Sequence, residues 1–246
     1  MRILVCIDDT DNLESVGTGT HAQEFRNIIE ENNLGKTYFI SRHQLYVHKD
    51  VSYTSHNSSM CFEADVKDKK DVEKIIKIGK KHLEKISAEG SDPGLCVAIK
   101  DDIKSPQSLI AYSKKAKCSL LTKKEAYGMA KSQGIHLSEH GGDGQGVVGA
   151  LAGVGLRYFG NDGRVKGKIE INSDKDILTV SELLNKTNFE RILTLDGKEL
   201  KYDEKIFLTD KRVKAILIGW KSTILVRYSK AEEIYKTLAK EEYKCY

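Results

Sequence analysis

The sequence predicts a mixed α/β (α+β) fold in two domains, residues 1–164 and a β-rich C-terminal module over 165–246. Three observations predict it. Strand-like and helix-like patterns alternate between residues 3 and 99. Two glycine-rich segments, around residues 17–20 and 141–146, stand where helices begin. Beyond Gly163 the texture changes to short apolar runs divided by polar turns. At 246 residues the chain is long enough for one to two such cores.

Taken in order, Ile3-Leu4-Val5-Cys6-Ile7 is an apolar run of buried-strand type. Ala22, Phe25, Ile28 and Ile29 recur at three-to-four-residue spacing, so a helix starts near Gly19 or Thr20 and ends near Gly35. Residues 38–40 and 45–47 read as extended, and 60–66 as a further strand. Val72, Ile75, Ile76, Leu83 and Ile86 share one helical face, with His82 on the surface of that helix. The Asp92-Pro93-Gly94 turn then leads into a strand over 95–99. Residues 106–117 are helical with proline in the first turn, and Thr122-Lys123-Lys124-Glu125 is a capping box for a helix through Lys131. After the second glycine segment, Val147-Val148-Gly149-Ala150-Leu151-Ala152 reads as a small-residue helix able to pack closely on a sheet. In the C-terminal module strands are expected at 169–171, 192–195, 206–208, 213–218 and 224–228. Asp196-Gly197 marks a hairpin-type turn, and Ser229-Lys230-Ala231-Glu232 should cap a final helix.

Apolar residues make up 39% and charged residues 31%, with no run long enough to cross a bilayer, so a soluble protein with no membrane partner is expected. No basic-then-apolar leader precedes the first strand, which makes a cytoplasmic location the expectation. Cys6, Cys61, Cys96, Cys118 and Cys245 are odd in number and lack C-x-x-C spacing, so core thiols are expected rather than disulfides or a zinc ribbon. A net charge of +4 is compatible with a polyanionic partner without specifying one, and the lysine runs read as solvated helix faces.

The chemistry is concentrated where the first strand ends. Asp8, Asp9 and Asp11 lie within four residues, and such carboxylates repel one another unless a cation such as Mg²⁺ compensates them. Downstream, Gly17, Thr18, Gly19 and Thr20 offer backbone N–H groups and hydroxyls to phosphate oxygens at a helix start. Gly142-Asp143-Gly144-Gln145-Gly146 is a second such tip, and Thr54-Ser55-His56-Asn57 a polar loop between them. Together they would furnish a site for ATP with Mg²⁺. Neither glycine segment is followed by Lys-Ser/Thr and neither fits G-x-G-x-x-G, which argues against a P-loop or a Rossmann site.

The order of these motifs resembles the archaeal tRNA(Ile) 2-agmatinylcytidine synthetase family. Ile7-Asp8-Asp9-Thr10-Asp11, then residues 51–57, then Asp92-Pro93-Gly94, then Gly142 through Ala152 follow that family's sequence of loops over roughly residues 1–160. The resemblance implies a kinase-like α/β domain with an associated ferredoxin-like domain, using ATP to act on the wobble cytidine of a tRNA with agmatine as second substrate. Carried residue by residue, Asp8, Asp9 and Asp11 match the Mg²⁺ and catalytic aspartates, with Thr10 among them. Thr18 or Thr20 falls where the family places a functional, phosphorylatable threonine. Thr54 and Asn57 match the second loop, with His56 within it. Gly142, Gly144 and Gly146 match the third, with Asp143 among them. Ser55 and His56 replace an Arg-Gly pair, and Asp143 and Gln145 replace Asn and Arg, so two arginines of the pattern are missing. The family's OB-fold and zinc ribbon are not expected in this chain, which is short and whose cysteines cannot build such a ribbon.

The expected function is therefore Mg²⁺-dependent use of ATP to activate or phosphorylate an oxygen of a nucleoside, tRNA or small molecule. The partners would be ATP, tRNA or another RNA, and agmatine or another small amine. One alternative is a degenerate relative that binds nucleotide or RNA without turnover. Another is a haloacid-dehalogenase-type phosphatase with Asp9 as nucleophile, Asp11 as acid and Asp101-Asp102 as a late acidic pair.

Overall fold

The computed structural model describes residues 1–49 and 57–245. Contacts divide the chain into two units, Met1–Phe159 and Gly160–Tyr246.

The first unit runs β1 (Arg2–Asp8), α1 (Thr18–Glu31), β2 (Gly35–Thr37), β3 (Ser41–Gln44), β4 (Ser58–Val66), α2 (Lys69–Ile86), β5 (Gly94–Ile99), a 3₁₀ turn, α3 (Pro106–Lys115), α4 (Lys123–Gln133), β6 (His136–Glu139) and α5 (Gly146–Phe159). Its strands lie in the order β6–β5–β1–β4, and β2 and β3 pair successive stretches of β4. Every pairing is antiparallel. Because β1 and β2 both oppose β4, while β4 and β5 both oppose β1, the two strand–helix–strand passages are split β-α-β units. The strand–helix–strand rhythm in the sequence thus comes from an α+β sheet, not from side-by-side parallel strands.

Both faces of that sheet are covered, which is why β1 reads as a continuous apolar run. Ile3, Val5 and Ile7 point into a core with Phe25 and Ile29 of α1 and Ile75 and Leu83 of α2. Leu4 and Cys6 point the other way, onto Val147, Ala150, Leu151 and Val154 of α5, with α3 and α4 behind. α5 has neighbours on nearly all sides and is correspondingly apolar around its circumference. On β4 the buried carboxylate of Glu63 is set among Arg2 at 3.2 Å, Arg157 at 3.4 Å and Lys100 at 3.6 Å.

The extended segments expected at 38–40 and 45–47 are displaced onto β2 and β3, whose polar residues escape a hydrophobicity reading. Ser41 and His43 are buried in β3 because their polar atoms pair, Ser41 Oγ with His43 Nε2 at 2.7 Å and with the Cys61 carbonyl at 3.1 Å. β6, an edge strand with Leu137 as its one apolar residue, carries little apolar signal. His82, expected on a helix surface, is largely covered, its ring 5.9 Å from that of Phe25. The core-thiol expectation holds for Cys6, Cys61 and Cys96, whereas Cys118 is exposed.

The second unit comprises β7 (Arg164–Val165), β8 (Ile169–Glu170), β9 (Ile177–Thr179), α6 (Val180–Thr187), β10 (Arg191–Thr194), β11 (Lys205–Phe207), β12 (Arg212–Val213), β13 (Ile216–Ile218), β14 (Lys221–Ser229), β15 (Ile234–Thr237) and a 3₁₀ turn. β14 is its hub, antiparallel to β13 and β15 and parallel to β10. One expectation fails here and one element goes unforeseen. Residues 229–232 do not cap a helix: Ser229 Oγ does donate to Glu232 Oε2 at 2.7 Å, but Glu233 turns left-handed at φ 53° and the chain returns as β15, with Ser229 opposite Ile234. The helix α6 is absent from the sequence reading, although its Thr179–Glu182 capping box is visible there. Among the described residues no helix is long and apolar enough to cross a membrane.

Candidate active site

β1 ends at Asp8, which pairs with Gly94 at the start of β5. At this edge the chain leaves the sheet, and the N-termini of α1 and α5 arrive. Between them opens a cavity of about 650 Å³ within the first unit. One wall is acidic and glycine-rich, with Asp8, Asp9, Asp11, Asp92, Gly142, Asp143 and Gly146; the other is largely apolar, with Leu45, Tyr46, Leu120, Leu121 and Val148.

The acidic wall depends on close backbone approach. A Cβ on Gly94 would sit 2.3 Å from the Gly146 carbonyl carbon, and one on Gly149 would sit 1.6 Å from Asp8 Oδ2. Glycine at 149 therefore leaves room for the Asp8 carboxylate against the first turn of α5. The loop before α5 is fixed by Asp92, whose Oδ1 accepts the main-chain N–H of Asp143 and, at 3.1 Å, that of Gly144. Gly142 and Gly144 are left-handed, at φ 52° and 70°, so the successive N–H groups of Asp143 and Gly144 turn onto the Asp92 carboxylate. Behind the loop, Lys123 Nζ donates to the Asp143 carbonyl at 2.6 Å and pairs with Glu139.

The electrostatics are those of crowded anions. Burial, reinforced by Asp9 and Asp11, pushes the Asp8 carboxyl well above the usual carboxylate range despite a hydrogen bond from the Asp9 backbone. Asp9 is pushed up to about 6, first by burial and then by Asp92 and Asp11. Asp9 also holds a left-handed φ of 50°, which Asp tolerates better than most residues. Asp11 Oδ1 accepts the Thr18 hydroxyl at 2.5 Å.

Of the residues singled out in the sequence, Asp8, Asp9, Asp11, Thr18, Asn57, Gly142, Asp143 and Gly146 line this one cavity. Asn57 fastens the apolar wall, its Nδ2 donating to the Tyr46 carbonyl at 2.7 Å. Thr10 lies just behind the wall, fully buried, and hydrogen-bonds Thr18. Gly17 is the exposed N-cap of α1 and Gly19 is buried in its first turn. Thr20 is exposed and not in the cavity wall, so of the two candidate threonines it is Thr18 that faces the aspartates. Gly144 is turned away, against Glu139. Thr54 and His56 fall outside the described residues. His140 does not line the cavity and bonds Ser138 at 2.8 Å instead. Sequence reasoning read Asp92 as part of a turn and of a family motif but not as a site residue, and it missed the apolar wall, whose members come from unconnected segments.

Among the described residues no three His, Cys, Asp or Glu side chains are gathered so as to hold a metal by themselves. The donors facing the cavity are nonetheless hard carboxylate oxygens in mutual repulsion. Mg²⁺ is commonly held by one or two carboxylates together with substrate phosphates and water. The residues thus fit a cation shared with a phosphate ligand and do not form an all-protein cage.

No protein-family model matches the chain, and no curated protein matches it. Solved structures do. The crystal structure of a tRNA fluorescent labeling enzyme matches 63% of this chain and 36% of its own, at 26% identity and a TM-score of 0.55. Apo TiaS, a tRNA agmatidine synthetase, matches 63% of this chain and 35% of its own, at 25% identity and a TM-score of 0.54. The complex of TiaS with its isoleucine tRNA and ATP matches 63% and 36%, at 26% identity and a TM-score of 0.55. The chain spans about a third of the length of these enzymes. Its α+β fold is similar to that of the tRNA agmatidine synthetase TiaS, the family that the order of the sequence motifs resembles.

Proposed function

We propose that the first unit binds ATP with Mg²⁺ and spends it on modifying an RNA, as an enzyme of the tRNA agmatidine synthetase type. What carries this is the convergence of Asp8, Asp9, Asp11 and Thr18 with the 142–146 loop, over 120 residues further along the chain, around one cavity. The split β-α-β order supports the ferredoxin-like part of the same reading. When bound, Mg²⁺ would neutralise phosphate charge and draw the phosphates onto the carboxylates. Asp8 and Asp9 would hold it. The loop pinned by Asp92 would shape the phosphate side of the cavity, its Asp143 and Gly144 N–H groups held by the Asp92 carboxylate and that of Gly146 by the Asp92 carbonyl. The positive end of α5 would add a fixed dipole that costs no reorganisation. Asp11 is placed to accept a proton from the Thr18 hydroxyl, already 2.5 Å away. The apolar wall of Tyr46, Leu120 and Leu121 would cover the less polar end of the ligand. A tRNA is the proposed acceptor and agmatine or a related amine the proposed second substrate.

The test is turnover of Mg²⁺-ATP by the full chain with tRNA and a panel of small amines, following AMP and ADP separately. AMP formation dependent on RNA supports activation of a base oxygen, and ADP supports simple phosphoryl transfer. Asp9→Asn should abolish turnover while the fold survives; unchanged turnover would sink the assignment.

One observation favours a second reading. Among the described residues lining the cavity there is no lysine or arginine, so the charge stabilisation that transferring phosphates usually receives from basic side chains is missing. Tight Mg²⁺-dependent ATP binding without any product would identify a nucleotide-binding relative that has lost catalysis. The phosphatase alternative loses its late acidic pair. Asp8 pairs with Gly94 and Ile3 with Ile99, which puts Asp101 and Asp102 beyond the opposite end of the sheet, roughly 17 Å along the strand.

A further inference from the structure

We propose that His21 is a positioning residue for Thr18 and Asp11, heading a one-way hydrogen-bond chain that runs His21 Nδ1, Thr10 Oγ1, Thr18 Oγ1, Asp11 Oδ1. The links measure 2.8, 3.1 and 2.5 Å. Counting hydrogens sets the direction. A carboxylate oxygen only accepts, so the single hydroxyl hydrogen of Thr18 is committed to Asp11. Thr18 Oγ1 then receives the Thr10 hydroxyl and, at 3.3 Å, the Thr10 main-chain N–H, which uses both of its lone pairs. Thr10 has no hydrogen left, so its contact with the imidazole requires the hydrogen to sit on His21 Nδ1.

Thr10, Thr18 and His21 are 0%, 6% and 3% exposed, so water offers these groups little alternative and a misdirected hydroxyl is costly. The groups facing the imidazole are Glu24 on its own helix, His82 on α2 and Asp11 in the preceding loop. Burial lowers the pKa of His21 below the ordinary histidine value, so the neutral ring's tautomer, and not its charge, sets the chain. The consequence is that Thr18 is held as a donor to Asp11, and its lone pairs stay occupied until the Thr10 hydroxyl swings toward a His21 bearing its hydrogen on Nε2. His21 touches neither the cavity nor a ligand; it acts through Thr10.

The proposal rests on reading Thr18 and Asp11 as parts of the ATP site, and two measurements separate the two ideas. The first needs no activity: nitrogen NMR of the full chain should show His21 Nδ1 as the protonated, pyrrole-type nitrogen. That signature should persist in Thr10→Ser and be lost as the dominant form in Thr10→Val. A wild-type His21 carrying its hydrogen on Nε2 overturns the proposal. The second is kinetic. His21→Leu should lower kcat for Mg²⁺-ATP turnover roughly 10- to 100-fold with KM little changed, the usual scale for loss of an orienting partner. His21→Asn, whose amide can still donate to Thr10, should recover most of it. Full activity in a folded His21→Leu overturns the role. Absence of turnover in the wild type sinks the function above while the NMR result still decides the chain; if His21→Leu does not fold, the Thr10 pair decides it.

Discussion

Asp9 shows how one side chain ties stability to function. Its pKa in the folded protein, about 6, lies above the ordinary 3.8. A carboxyl shifted this way favours folding while protonated: the contribution is complete below about pH 3.8 and is lost as pH rises through about 6. Asp9→Asn, which keeps a residue at ease in the left-handed region, should therefore melt higher than wild type above pH 6. Its advantage of about 1–2 kcal/mol, after allowing for solvent screening, should vanish near pH 4. Thermal scans across pH without metal test this, and saturating Mg²⁺ should narrow the gap by stabilising only the wild type. A melting difference that does not change with pH would contradict it. Gly149 makes the complementary case. Gly149→Ala would drive a methyl into Asp8 Oδ2 and to 2.8 Å from Leu45, costing about 1–3 kcal/mol and weakening Mg²⁺-dependent ATP binding. Gly128→Ala in α4 meets nothing within 4 Å and should raise stability by up to about 1 kcal/mol, a matched control.

Among the elements, α4 and the loop before α5 work as a pair. The Thr122–Glu125 capping box fixes the start of α4 and so places Lys123, which holds the Asp143 carbonyl. Thr122→Ala should cost about 1 kcal/mol and raise amide exchange in residues 141–145 as well as in α4; exchange confined to α4 would break the link. Asp92→Ala leaves two loop N–H groups without their acceptor and should loosen the loop, measurable as weaker nucleotide binding. Asp92→Asn keeps an accepting oxygen and should behave close to wild type. The capping box was legible in the sequence because it is local chemistry four residues long. Asp92 was not, because the partners that make it more than a turn residue lie some fifty residues away. The same reason hid β2, β3 and β6. Their residues are mostly polar, and only the strands that they pair with make them extended.

At the scale of the whole molecule, the two units differ in how much of them could be read. In the first, strong apolar periodicity located β1, α1, β4, α2, β5 and α5. In the second, every strand but the nine-residue β14 has only two to four residues and carries little pattern, and a Ser-x-x-Glu that resembles a cap became a hairpin turn. Each unit has its own buried residues, so residues 1–159 expressed alone are expected to unfold in one cooperative transition and to retain Mg²⁺-dependent ATP binding. Loss of binding in a folded fragment would assign part of the site to the second unit.

By itself the sequence determined the mixed α+β class, the acidic end of β1, the two glycine-rich helix starts and the likeness to a family. All of these depend on neighbours within a few residues or on the order of motifs along the chain. Only the tertiary structure decided that the sheet of the first unit is antiparallel, that Thr18 and not Thr20 faces the aspartates, that Asp92 organises the loop, and that a buried histidine reaches Thr18 through Thr10. Those facts depend on which distant segments share a strand edge or a helix end. Burial then converts a surface motif of carboxylates into groups whose protonation and hydrogen-bond direction are set by their surroundings.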